Sequence, residues 1–180
     1  MSARAKRSRH GSPAGSRRAT RRGTKLASAH RASARVRRLQ KRGQEVVFTN
    51  GCFDLLHAGH IALLEEARAQ GDYLVVGVNT DRSVRLLKGA GRPIVPLGER
   101  MEVLAALRSV DCVVPFGDPT PARLIARLRP DVLVKGSDYR TKTIVGSDTV
   151  QARGGRVVTV PLRRGRSTTD LIRRALRAAR

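Results

Sequence analysis

Two histidines three residues apart close the run Gly51-Cys-Phe-Asp-Leu-Leu-His-Ala-Gly-His60, which follows a short β-branched stretch and leads into a helical one. At a helix start this spacing lets both imidazoles share one side of the first turn. Gly59 leaves a space without a side chain between them, and Gly51 permits close backbone approach. The helix N-terminus adds unpaired N–H groups and a partial positive charge. Imidazoles and free amides are donors to phosphoryl oxygens, so the chemistry that suits this segment is the holding of a phosphate group. Two other uses compete. His57 and His60 can cap or pack, or they can ligate a metal with Asp54. No further Cys or carboxylate stands at a familiar ligand spacing, so no protein-held metal is expected. Cys52 has no base within the motif to activate it and reads as a small packing residue. Asp54 is expected to orient the loop by accepting backbone N–H bonds.

The elements that must position these groups alternate. Glu45–Thr49, Tyr73–Val78, Asp111–Phe116, Asp131–Val134 and Arg156–Val160 are apolar on consecutive residues, as strands covered on both faces are. Helices are predicted between them over Ile61–Gln70, Leu97–Arg108, Pro121–Leu128 (with Thr120 as cap), Thr149–Arg153 and Thr168–Ala179, the last opened by Ser167 and Asp170 as a capping box. The interleaving predicts an α/β fold, a doubly wound parallel five-stranded sheet of Rossmann-like type. Ligands of such sheets bind at the carboxyl ends of the strands, where the histidine segment falls.

Of the 180 residues, 37 are Lys or Arg and 14 are Asp or Glu, a net charge of +23. Residues 1–44 hold 15 of the cations and no acid. This stretch has few large apolar side chains (Leu26, Val36 and Leu39), so it is expected to be a disordered basic tail preceding a domain over 45–180, with a short helix around Ala32–Lys41 compatible with its pattern. Such a tail can hold nucleic acid or another polyanion, direct the chain to an organelle, or merely be solvated. No apolar run reaches the ~20 residues of a membrane helix. Two cysteines cannot build a disulfide scaffold, which points to a reducing, cytoplasmic setting.

The segment ending in His57-Ala-Gly-His60 resembles the His-x-Gly-His signature of the cytidylyltransferase-like nucleotidyltransferase superfamily, and Ser167-Thr-Thr169 at a helix start resembles its second signature. Leu86-Leu-Lys-Gly89, Arg92-Pro-Ile94, Glu99-Arg100-Met101, Leu133-Val-Lys-Gly-Ser-Asp-Tyr139 and Gly165-Arg-Ser-Thr-Thr169 follow in the superfamily's order. Together they look most like the adenylyltransferase domain that makes ADP-activated heptose from D-glycero-D-manno-heptose 1-phosphate in lipopolysaccharide synthesis. One departure stands out. An Arg-Thr-Glu-Gly block of the glycerol-phosphate enzymes is replaced by Leu162-Arg-Arg-Gly165, which leaves Arg163 and Arg166 without an assigned role and counts against that substrate.

The resemblance implies transfer of AMP from ATP to a sugar 1-phosphate without a covalent intermediate. It implies His57, His60 and Lys88 as catalytic residues and Lys88 and Arg92 on the acceptor's phosphate. The nucleotide would be bound by Phe48, Thr49, Asn50, Gly51, Cys52, Phe53, Gly59, Lys135, Gly136, Asp138, Ser167, Thr168 and Thr169. Lys88 is placed in a mobile Gly-rich loop, where a plain exposed lysine is the alternative, and Asp138 can equally cap a turn. Magnesium is expected through the nucleotide phosphates. A homodimer and a sugar kinase on a separate chain are the expected partners. Rival readings are a cytidylyltransferase or related enzyme of the same fold acting on glycerol 3-phosphate or a flavin phosphate, and a nucleic-acid-binding protein working through residues 1–44.

Overall fold

The five β-branched runs do form strands. The computed structural model describes residues 25–136, 144–161 and 168–179. In it the strands are β1 (Val46–Gly51), β2 (Tyr73–Asn79), β3 (Cys112–Phe116), β4 (Val132–Gly136) and β5 (Arg156–Val160). They pair in parallel in the order β3-β2-β1-β4-β5. Their continuous apolar character follows from burial on both faces. Phe48, Val75 and Leu133 join one core cluster, and Val47, Val76 and Val134 join the other. The chain crosses from one half of the sheet to the other between β1 and β4, so the ends of these strands open a crevice at Asn50–Gly51 and Lys135–Gly136.

The helices are α1 (Ala29–Gln40), α2 (Ala58–Arg68), α3 (Asp81–Lys88), α4 (Leu97–Ala106), α5 (Ala122–Leu128), α6 (Ser147–Gln151) and α7 (Thr168–Ala178). Two local expectations need correction. Lys88 is the last residue of α3 rather than part of a loop. This helix is short, is capped by Thr80 and buries Ser83 and Val84. Pro121, not Thr120, occupies the cap position of α5, and no side chain caps it. Asp138, Arg163, Arg166 and the Ser167 cap lie outside the described residues.

The larger correction concerns the expected tail. Residues 25–44 are part of the domain. Leu26 bridges to Val113 at the sheet edge, and the Ala27 amide donates to the Val113 carbonyl at 3.0 Å. Ser28 caps α1 by accepting from the Arg31 amide. Ala32 and Val36 are then buried against the core, with Leu39 packed beside them. Polar contacts complete the attachment. Ser33 Oγ donates to the Arg127 carbonyl at 2.9 Å, and Gln40 Nε2 donates to the Arg129 carbonyl at 2.8 Å and to Asp131. The few apolar residues of this stretch suffice because they lie on one helix face, a property that composition does not register. Residues 1–24 lie outside the description.

Val36→Ala is expected to lower the unfolding free energy by about 2 kcal/mol, the order for removing core methyl groups. Denaturant titration checks this, and a free tail would show no change.

Candidate active site

At the carboxyl edge of the sheet a cleft of ≈ 560 Å³ is bordered by the histidine segment, the ends of β1 and β4, and the first residues of α7. His57 is the N-cap of α2. Its backbone is extended, and its Nδ1 accepts from the amides of Gly59 at 3.1 Å and His60 at 3.4 Å. That cap role does not compete with ligand binding. A neutral ring that accepts at Nδ1 carries its proton on Nε2 and is a donor there. The His60 ring stacks on His57 with centroids 3.8 Å apart and lies 5.3 Å from the Phe53 ring. Burial, and secondarily the neighbouring His57, push the pKa of His60 down to about 4, so it is neutral at pH 7.

The loop that carries the histidines is held from several sides. Asp54, almost fully buried, accepts from Arg92 Nε at 2.6 Å and from the amides of Ile94 at 3.0 Å and Val95 at 2.9 Å. Burial pushes its carboxyl up. The two amides and the guanidinium outweigh that, and its pKa falls below the ordinary value. The expected role of Asp54 as a backbone-amide acceptor therefore holds, although the amides come from the 92–95 segment. The Thr168 hydroxyl donates to the Asp54 carbonyl at 2.7 Å, which joins the start of α7 to the same loop.

Arg100 went without a role in the sequence reading. It is 2% exposed. Its guanidinium donates to the carbonyls of Val95 and Asn79, both at 2.9 Å, to the Cys52 carbonyl, and to Asp81 at 2.7 Å. One side chain thus ties the ends of β1 and β2 to the start of α3. Its signal in the sequence was a lone arginine in an otherwise apolar helix face.

Most of the expected site residues meet at this cleft. Thr49, Asn50, Gly51, Cys52, Phe53, His57, Gly59 and His60 border it, as do Lys88, Arg92, Lys135, Gly136, Thr168 and Thr169. Lys135 Nζ is paired with Asn50 Oδ1 across β4 and β1. Cys52 is half-buried, and burial raises its thiol pKa, so it is not a poised thiolate. Phe48 is a correction. It is fully buried in the core, its ring against the backbone of Gly77, and does not reach the cleft. Asp138 and Ser167 are not among the described residues. Phe116 at the end of β3, and Pro119, Pro121, Ile144 and Val145, also border the cleft and were missed because apolar residues carry no chemical signature. Among the described residues no three His, Cys, Asp or Glu side chains gather to hold a metal ion, and no helix is long and apolar enough to cross a membrane.

The depressed His60 pKa has a stability consequence. Between its ordinary value of 6.5 and about 4, the unfolded chain binds a proton at this residue that the folded chain does not. Stability contributed here is complete above pH 6.5 and is lost as the pH falls through that window. The unfolding free energy of His60→Gln is expected to fall less steeply than that of the wild type over this range in parallel denaturant titrations.

Comparison with known proteins bears on the family and the fold. Residues 48–174 match the family model described as cytidylyltransferase-like. A protein named "Bifunctional protein HldE" from Halorhodospira halophila is 58% identical over 141 residues, covering 78% of this chain and 30% of that protein. Its namesake from Alkalilimnicola ehrlichii is 59% identical over 132 residues, 73% of this chain and 28% of that protein. The chain therefore spans less than a third of the length of these relatives. Among solved structures, a lipopolysaccharide core biosynthesis protein from Thermoplasma volcanium superposes with a TM-score of 0.56 at 28% identity, over 67% of this chain and 98% of that one. A pantoate-beta-alanine ligase from Francisella tularensis shares the fold, with a TM-score of 0.53 at 16% identity over 77% of this chain and 67% of that one. On the family match over residues 48–174, the chain belongs to the cytidylyltransferase-like family.

Proposed function

We propose that this protein transfers AMP from ATP to D-glycero-D-manno-heptose 1-phosphate, giving ADP-heptose and pyrophosphate. The observation that carries the reading is the gathering of stacked imidazoles, Lys88, Arg92 and the start of α7 around one cleft whose only acid among the described residues, Asp54, is already paired. Such a site suits two polyanions that must be brought together. The similarity to the HldE proteins and to the lipopolysaccharide core protein supports the choice of sugar.

In this mechanism a phosphate oxygen of the sugar attacks the α-phosphorus of ATP. The new O–P bond forms as the bond to the bridging oxygen breaks, and that oxygen leaves with pyrophosphate. The attacking phosphate is an anion at neutral pH, so no general base is required. The protein's work is positioning and stabilising charge. His57 and His60 donate to triphosphate oxygens, with Nε2 as the donor of His57. Lys88 bridges the α-phosphate and the incoming phosphate, and Arg92, held by Asp54, faces the acceptor. Thr169 and the first amides of α7 receive the departing phosphates, while the Thr168 hydroxyl keeps α7 on the loop. Asn50 and Lys135, joined to each other, border the nucleoside end with Gly136. Among the described residues the cleft has phosphate donors but no unpaired carboxylate, which suits magnesium that arrives on the nucleotide and water, where it would offset phosphate charge. The acceptor requires a sugar-phosphorylating activity upstream, and a cytoplasmic setting and a homodimer belong to the same proposal.

The test is pyrophosphate release from a panel of nucleoside triphosphates and sugar or polyol phosphates. ATP with heptose 1-phosphate is expected to give the highest kcat/KM. Release only with CTP and glycerol 3-phosphate would overturn the assignment. With the preferred pair, His57→Ala or His60→Ala is expected to lower the rate by about 10²–10³, the order for losing one transition-state donor.

A further inference from the structure

The side of the domain formed by α1 and α5 carries charge of one sign. α1 holds Arg31, Arg35, Arg37 and Arg38, α5 holds Arg123 and Arg127, and neither helix contains an acid. Residues 149–156 add Arg153 and Arg156, again without an acid. Helix energetics do not ask for this pattern. Arg31 stands in the first turn of α1, where the helix dipole disfavours a cation, and Arg37 and Lys41 are like charges four residues apart. Solvated faces laced with salt bridges alternate in sign.

Hydrogen bonds bring exposed cations from three segments together. Arg37 Nη1 donates to Ser33 Oγ at 2.6 Å, and that hydroxyl donates to the Arg127 carbonyl at 2.9 Å. The Arg129 carbonyl accepts from Gln40 Nε2 at 2.8 Å and from Arg153 Nη1 at 3.1 Å, and Lys41 follows Gln40. Arg37, Lys41, Arg127, Arg129 and Arg153 are all exposed. Asp131, the acid at this junction, is engaged by Gln40 and by the Val46 amide. The junction lies where β1 and β4 begin, so it sits at the opposite sheet edge from the cleft. The six residues of β1, at about 3.3 Å each, separate the two edges. An anion held at this junction does not compete with one in the cleft.

We propose that this face is a separate anion-binding surface that takes the phosphate backbone of duplex nucleic acid, without reading its sequence, through Arg37, Lys41, Arg127, Arg129 and Arg153. A guanidinium fork matches two phosphate oxygens, and a fixed row of such groups suits a regular row of phosphates. The same elements contain no Phe, Tyr or Trp on which unpaired bases could stack, which disfavours a single strand. None of the exposed large apolar side chains among the described residues belongs to them, which disfavours a bilayer. Residues 1–24 contain eight further Lys or Arg and no acid, so the chain leading to α1 adds attraction of the same kind.

The test uses the full chain and fluorescein-labelled duplexes of about 20 base pairs, one DNA and one RNA, with anisotropy read over about 50–300 mM KCl. Arg37→Gln/Arg127→Gln/Arg153→Gln is expected to weaken DNA binding about tenfold or more at about 100 mM salt and to reduce the slope of log K against log salt by about 2.7, three contacts at about 0.9 each. A control of equal net charge, Arg173→Gln/Arg174→Gln/Arg177→Gln on α7, is expected to stay within about threefold of the wild type. A loss confined to one duplex supports the proposal and names the nucleic acid. Equal losses in the two variants, no loss in the first, or no binding by the wild type at about 50 mM salt overturns it. So does a first variant that loses vesicles of equal phosphatidylglycerol and phosphatidylcholine while keeping both duplexes, which makes the face a membrane surface. If the triple variant does not fold, Arg127→Gln alone decides: a slope reduced by about 0.9 is expected, and an unchanged slope overturns the proposal. Pyrophosphate release by the first variant is expected to match the wild type, and a fall in it overturns the separation of this face from the cleft. Failure of the transferase reading appears elsewhere, as absence of pyrophosphate release by the wild type with every pair in the panel.

Discussion

Cations gathered at one edge of a sheet repel each other, and a site built to receive polyanions must keep its shape before they arrive. The constraint is met here by a few buried acceptors. Asp54 balances Arg92 and fixes the 92–95 segment with two further amides. Arg100 spends its donors on three backbone carbonyls and Asp81, so its charge is absorbed by strand ends rather than left to the cleft. Asn50 engages Lys135 in the same way. Burial holds His60 neutral, so the ring stacked on His57 adds no charge of its own. Donor capacity is thus concentrated at the cleft with less positive charge than the residue types suggest.

The sheet was legible because parallel strands are buried on both faces and so read as unbroken apolar runs. The histidine segment was legible because its spacing, its glycines and its place after the first strand all point to one edge. What stayed hidden has a common physical cause. Phe48 precedes the site residues in the chain, yet strand alternation turns it into the core one residue before Thr49. Arg100 acts through the carbonyls of Cys52, Asn79 and Val95, and side-chain identity does not announce such partners; for Asp54 the amide-accepting role was legible but its partners in the 92–95 segment were not. The short helix α3, eight residues capped by Thr80, is too brief to show a long periodic pattern.

The misplaced boundary teaches the same lesson from the other side. Charge and low apolar content over 1–44 argued for a solvated tail. A single turn of sequence carrying Ala32 and Val36 on one face was enough to dock α1, with Ser33 and Gln40 bonding to carbonyls at the end of α5. Averages over a window dilute such a face. The polyanion-binding alternative treated residues 1–44 as one free arm, and almost half of that arm is built into the domain.

The contact of Leu26 and Ala27 with Val113 has a consequence for self-association. An open parallel sheet exposes unpaired backbone groups along each outer strand, and these are templates for unwanted strand addition. On the β3 flank this short segment occupies part of that template, and Lys25 adds a cation there through its bond to the Leu107 carbonyl. The opposite flank, β5, begins with Arg156 paired to Glu45. Intermolecular strand pairing is therefore disfavoured along the part of the β3 flank that this segment covers.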